Sequence, residues 1–272
     1  MIGITSFFRV LINTNIFVSI CVYYLALSSE ILLKSTNNNI SFFIFFASLF
    51  TYNIQRIIRI KKGTNHKRKE WTLKHLKLIY ILTIIGASFS MYYFLKFNTQ
   101  TQNVIFLTGI VSIMYPFGIR SIPYCKILII SSVWTIASMY LLISENNLSL
   151  NNNVILHLIS RFLFVFAITI PFDIRDIKYD KNNLKTIPIS LGVQKSKLLS
   201  IFALLLICFI SIVHLSQKIV NISLFFTILI ICVFSCILIF KSDEKKEDFF
   251  FSFWIESLSV FFYLFLVISL LI

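Results

Sequence analysis

Charged residues make up only 13% of the 272 positions, and just 11 of them are acidic. A soluble domain of this length needs more charge than that to cover itself with a hydrated surface, so a soluble globular class is excluded. No Gly/Pro/Ser-rich linker interrupts the chain and no polar block exceeds about 25 residues, which leaves no place for a domain boundary. Residues 1–272 therefore read as a single transmembrane domain. The five cysteines, Cys21, Cys125, Cys208, Cys232 and Cys236, lie mostly inside apolar stretches without metal-ligand spacing, so no disulfide or zinc framework is implied. His66, His75, His157 and His214 also lack a partner at ligand spacing.

What is abundant is apolar: 58% of the chain, including 30 Phe. Runs near the roughly 20 residues that cross a hydrocarbon core recur throughout. They fall at about Phe7 to Leu33, Ile40 to Ile60, Leu76 to Phe97, Val104 to Ile119, Ile127 to Ile143, Val154 to Phe172, Leu198 to Leu215, Ile219 to Phe240 and Phe249 to Ile272. The expected fold is all-α, a polytopic bundle of about nine transmembrane helices in a lipid bilayer. Arg9 ahead of an apolar stretch, with small residues at Ala26 to Ser28, offers a cleaved-leader reading of the N-terminus; the first run is taken as a span.

All of the 25 Lys and Arg except Lys34, Lys96, Arg161 and Lys218 flank the N-terminus or the even-numbered connections. Basic connections stay in the cytoplasm, so the N-terminus is expected there, the C-terminus outside, and the whole in a bacterial inner membrane. The net charge of +14 follows from that bias and from attraction to anionic lipid, and no nucleic-acid partner is expected. Drift in nucleotide composition also enriches Asn, Ile, Lys and Phe together. The run Lys241 to Asp248 alternates acid and base, as a solvated turn does.

Three of the scarce acids are clustered. Asp173, Asp176 and Asp180 stand at spacings of three and four, which puts them on one helical face. Three converging carboxylates repel one another, and Mg²⁺ is a natural compensator that prefers carboxylates, water and phosphate oxygens. Arg175, Lys178, Lys181 and Lys185 add positive charge for a diphosphate. The competing reading is a solvated helix end in which the aspartates pair with Arg175, Lys178 and Lys181.

The stretch from Asp173 to Gly192, DIRDIKYDKNNLKTIPISLG, resembles the second aspartate-rich motif of the UbiA superfamily of intramembrane prenyltransferases. Asp173, Asp176, Asp180, Lys185, Thr186, Pro188, Leu191 and Gly192 take the motif's positions. Tyr115, Pro116, Arg120 and Pro123 before Lys126 resemble the family's connection after helix four, where a Tyr and basic residues lie near the diphosphate. The resemblance implies a nine-helix fold with motifs after helices two and six on the cytoplasmic side. It implies transfer of an isoprenyl group from an isoprenyl diphosphate to an acceptor that the residues do not identify. Asp173, Asp176 and Asp180 would be the catalytic residues and the Mg²⁺ ligands.

One departure is plain. The first motif, usually Asn-Asp followed by further aspartates, aligns with the stretch from Asn53 to Lys61, where the acidic positions have become Ile54, Ile57 and Lys61. A second carboxylate-bound Mg²⁺ cannot be built from these side chains. Arg56 and Arg59 are expected to meet the diphosphate directly, since guanidinium suits that partner, with Asn53, Tyr115, Arg120, Lys126 and Lys185 completing the substrate-binding set. Membrane anchoring is the plainer role for the two arginines. The alternative function is a non-catalytic relative that binds an isoprenoid or lipid diphosphate or serves as an assembly partner. Glu256, an ionisable group within the last span, marks either a functional position or a snorkelling one near the interface.

Overall fold

A computed structural model describes residues 2–63, 68–118, 120, 122–180 and 184–271, with side chains from Phe7 onward. His66, Ile119, Lys181 and Ile272 lie outside the described residues. Within them every regular element is helical.

The first apolar run is not one helix but two, α1 (Ile2–Asn13) and α2 (Ile16–Leu33). The break has a local cause. Thr14 turns its hydroxyl back to the carbonyls of Val10 and Leu11, and Asn15 takes a left-handed backbone with φ 62°, a conformation asparagine tolerates better than other side chains. The remaining long helices are α3 (Asn38–Lys61), α4 (Leu76–Phe94), α5 (Thr99–Met114), α6 (Cys125–Glu145), α7 (Asn152–Arg175), α8 (Val193–Ser216), α9 (Ile222–Lys241) and α10 (Phe250–Leu271).

Eight of these, all but α1 and α5, are long and apolar enough to cross a membrane. With its 16 residues α5 rises only about 24 Å, short of a hydrocarbon core of about 30 Å, and runs on into a tight 3₁₀ turn, Tyr115–Phe117. Counting α5, the described residues supply a helix for each of the nine expected runs, eight of them of spanning length.

Four helices open on asparagine caps. Asn37, Asn98, Asn151 and Asn221 each accept a hydrogen bond from a backbone N–H in the first turn of α3, α5, α7 and α9. In an alternating bundle all four lie at the end opposite the basic connections, so part of the asparagine richness has a structural use.

The helices close into a ring. α2 packs on α3 and α10, α6 on α5 and α7, α8 on α7 and α9, and α9 on α10, while α4 lies outside against α3. Gly86 makes that last contact possible, because a Cβ there would stand 2.8 Å from the backbone nitrogen of Phe50. Each helix buries one stripe and turns another outward. On α8, Leu198, Phe202, Leu205, Phe209 and Ile212 are exposed while Ser200, Ala203, Leu204, Ile207 and Ser211 are buried. An apolar outward stripe at helical spacing suits contact with acyl chains. Arg161, assigned above to an odd-numbered flank, is buried within α7, donating to the hydroxyls of Ser28 and Ser29.

Candidate active site

A cavity of about 880 Å³ lies inside the ring, walled chiefly by α3, α5, α6 and α7, with Val18 and Val22 of α2 and Glu256 of α10 adding to the lining. Its character changes along its length, and the order of residues on each wall shows how. On α3 the lining passes from Phe43, Ile44 and Ala47 through Tyr52 to Gln55, Arg56 and Arg59. On α6 it passes from Leu141 through Trp134 and Val133 to Lys126, and on α7 from Val165 and Ile168 to Asp173. Fifteen or so helical residues make the cavity roughly 20 Å long, apolar at one end and ionic at the other. Eight basic side chains, Arg56, Arg59, Lys62, Arg68, Arg120, Lys126, Arg175 and Lys178, line it against five acidic ones, Asp173, Asp176, Asp180, Asp248 and Glu256, so the mouth carries an excess of positive charge.

The three aspartates converge, though not on one helical face. Asp173 is on the last turn of α7, Asp176 caps that helix with its N–H bonded to the Phe172 carbonyl, and Asp180 ends the single turn Ile177–Asp180 that follows. What they converge on is Lys126. Its Nζ stands 2.7 Å from Asp173 Oδ1, 2.8 Å from Asp180 Oδ2 and 4.0 Å from Asp176 Oδ2. Arg120 donates to the other oxygen of Asp180 at 2.9 Å, and Arg175 grips both oxygens of Asp176, at 2.7 and 3.0 Å. Burial alone would raise the Asp176 carboxyl, but the Arg175 charge and its two hydrogen bonds hold it at about 2. With a depressed folded value, its stabilising contribution is complete above the ordinary carboxylate range and is lost only as pH falls through about 2.

The Mg²⁺ expected on this trio finds its place taken. Among the described residues no three His, Cys, Asp or Glu side chains form a group able to hold a metal ion. The space between Asp173 and Asp180 is filled by an ammonium group, and α3 has no Asp or Glu, its cavity-lining residues at this end being Gln55, Arg56 and Arg59. These residues, as arranged, do not fit a resident divalent cation.

Of the expected substrate-binding residues, Arg56, Arg59, Tyr115, Arg120 and Lys126 all line the cavity. Burial pushes the Tyr115 hydroxyl up, against the lowering effect of Lys126 and Arg120, so it stays a donor. Asn53 is fully buried and turned toward the α1–α2 break: it accepts from Asn15 Nδ2 at 2.9 Å and donates to the Thr14 carbonyl at 3.2 Å. Asn15 in turn accepts from Arg56, which also donates to the Asn13 carbonyl, so Asn53 is linked to the cavity-lining Arg56 through Asn15. Lys185 is exposed and is absent from the cavity wall; its carbonyl accepts from the Tyr124 N–H.

Sequence reasoning missed a second ionic knot. Asp248, placed above in a solvated turn, is bound by Arg68 at 2.8 Å and by Arg175 at 3.0 Å, joining the connection after α3 to the ends of α7 and α10. Arg68 also donates to the Ile12 carbonyl and to Ser252. Glu256 lines the cavity from α10. His157 and His214, unrelated by spacing, pack against each other with ring centroids 4.2 Å apart and planes tilted by 41°.

A profile of the UbiA prenyltransferase family matches residues 66–266. The chain belongs to that family. The match begins beyond Asn53 to Lys61, the segment from which the first set of acids is missing. Solved structures agree on the fold. An apo UbiA homolog from Aeropyrum pernix K1 superposes with a TM-score of 0.68 at 11% identity, over 94% of this chain and 97% of that one. A UbiA homolog from Archaeoglobus fulgidus bound to GPP and Mg²⁺ gives 0.58 at 11% identity, over 97% and 96%. A digeranylgeranylglyceryl phosphate synthase gives 0.58 at 19%, over 96% and 97%. No curated protein sequence matches the chain at a significant level. Family and spans together make this UbiA-family chain an integral, multi-pass membrane protein.

Proposed function

We propose that this chain is a membrane prenyltransferase that binds an isoprenyl diphosphate with its tail along the apolar length of the cavity and its diphosphate at the ionic mouth. One observation carries the reading: a single cavity of about 880 Å³, within the roughly 300–1,000 Å³ of small-molecule sites, is greasy at one end and cationic at the other. That polarity matches a molecule built from an isoprenoid and a polyanion. The family's relatives add support, since one homolog is bound to GPP and Mg²⁺.

In the proposed reaction the allylic C1–O bond breaks and its electron pair leaves with the diphosphate. Arg56, Arg59 and Arg120 stabilise the charge that develops there, and guanidinium groups held in a partly dry mouth do so more strongly than in water. The allylic carbon gains cation character between Tyr52, Trp134 and the aliphatic wall, away from bulk water. A nucleophilic acceptor then attacks C1 and releases a proton. In this reading the basic connections, and with them the mouth, face the cytoplasm, which the charge bias supports.

Purified protein in lipid nanodiscs, given radiolabelled geranyl diphosphate and a lipid extract as acceptor source, is expected to release diphosphate and form a labelled lipid-soluble product. Binding without turnover would favour the non-catalytic alternative. Absence of binding would remove the reading.

A further inference from the structure

We infer that Lys126 replaces a divalent cation in this site, so that the aspartate trio organises a metal-independent, guanidinium-based diphosphate pocket. This rests on the proposed function for the identity of the ligand, but its central claim concerns the carboxylates alone.

The charge around the trio is already balanced within the chain. Each carboxylate has a cation of its own: Lys126 for Asp173, Arg175 for Asp176, and Arg120 with Lys126 for Asp180. Asp173 and Lys126 are buried, at 1% and 7% exposure. A Mg²⁺ ion would have to expel the Lys126 ammonium from between two oxygens and would bring its own charge to a mouth that already has more cations than anions. The ion's other usual partner, a carboxylate group on a facing helix, is absent from α3, which has no Asp or Glu and instead brings Arg59 within electrostatic reach of Asp176 and Asp180. Loss of acids on α3 and presence of a lysine on α6 are two halves of one arrangement. Anion binding passes to arginines, and the remaining acids hold Lys126 and Arg120 in position.

The consequence is a distribution of roles. Lys126 is a counter-ion inside the protein, and the aspartates position basic groups instead of presenting a metal. Arg120, whose Nε has no hydrogen-bond partner among the described residues, keeps a donor for an incoming phosphate while anchored through Asp180.

Mn²⁺ binding by EPR, without diphosphate, tests the carboxylates directly. Wild-type protein is expected to leave Mn²⁺ free, as is Lys126→Arg, while Lys126→Gln gains a bound Mn²⁺ that Asp173→Asn abolishes. Calorimetry with geranyl diphosphate tests the pocket: wild-type affinity in EDTA is expected to lie within about twofold of that in Mg²⁺, whereas Lys126→Gln weakens at least tenfold in EDTA and recovers in Mg²⁺. Mn²⁺ held by the wild-type trio, or wild-type binding lost in EDTA and present in Mg²⁺, would overturn the inference while leaving the proposed function standing. Wild-type protein that binds geranyl diphosphate in neither medium would overturn the proposed function and the pocket's role, and the Mn²⁺ result would still decide what occupies the trio. Should Lys126→Gln fail to fold, the wild-type and Lys126→Arg measurements decide the matter.

Discussion

Asp173→Asn is expected to reduce diphosphate release at least a hundredfold while leaving membrane insertion intact. Asp173 is 1% exposed, and its Oδ1 stands 2.7 Å from the ammonium of Lys126. The amide keeps the shape but removes the charge, so Lys126 is left with Asp180 and a distant Asp176. Breaking a buried ion pair by neutralising one partner costs about 3–5 kcal/mol, because the other charge stays out of water. Part of that cost is met by Lys126 moving, and its movement disturbs Asp180 and, through it, Arg120. The variant should therefore show a lower thermal midpoint in detergent as well as lost turnover. Unchanged release of diphosphate would remove Asp173 from the site.

Arg56→Gln and Arg59→Gln carry the second large effect, on affinity. Both side chains line the ionic end of the cavity from α3. A hydrogen bond to a charged group contributes about 1.5–3 kcal/mol, so losing one should weaken geranyl diphosphate binding roughly 10- to 150-fold. Geraniol, which shares the tail and lacks the diphosphate, should bind the variants and the wild type alike. Arg56→Lys should recover only part of the loss, since an ammonium keeps the charge but not the planar fork. Equal loss of geraniol and geranyl diphosphate binding would instead point to damage to the cavity as a whole. Arg56 needs this control because its guanidinium also ties the Asn13 carbonyl and Asn15 together.

Much of this architecture was legible because bilayers demand it. Long apolar runs announced the spans, and the basic bias paired the connections. The acid trio was legible from its spacing, although the helix ends at Arg175 and the side chains meet by way of a cap and a separate turn. The first span's break was not legible, because Thr14 and Asn15 are only two polar residues within an apolar run and act through backbone geometry. Lys126 was singled out, but for the substrate. Its partner Asp180 lies 54 positions away, and only packing α6 on α7 brings the two into contact. Asp248 was obscured by neighbours of alternating charge, which look like a solvated turn whether or not one of them faces inward. Asn53 was marked by its depth in an apolar helix, and that depth reflects its bonds to Asn15 and Thr14 rather than a place on the cavity wall. Lys185 occupies a motif position, yet its side chain is exposed, and its carbonyl meets the α6 entrance by accepting from the Tyr124 N–H.

The most direct test is photo-crosslinking with a geranyl diphosphate analogue that carries a diazirine at the end of its tail. Irradiated with the protein in nanodiscs and mapped by mass spectrometry, the label is predicted on inward residues of α3 and α6, such as Phe43, Ala47, Trp134 and Leu141, with excess geranyl diphosphate suppressing it. Label confined to the outward stripe of Leu198, Phe202 and Leu205, or indifferent to the competitor, would show that the tail dissolves in lipid and that the cavity does not receive it.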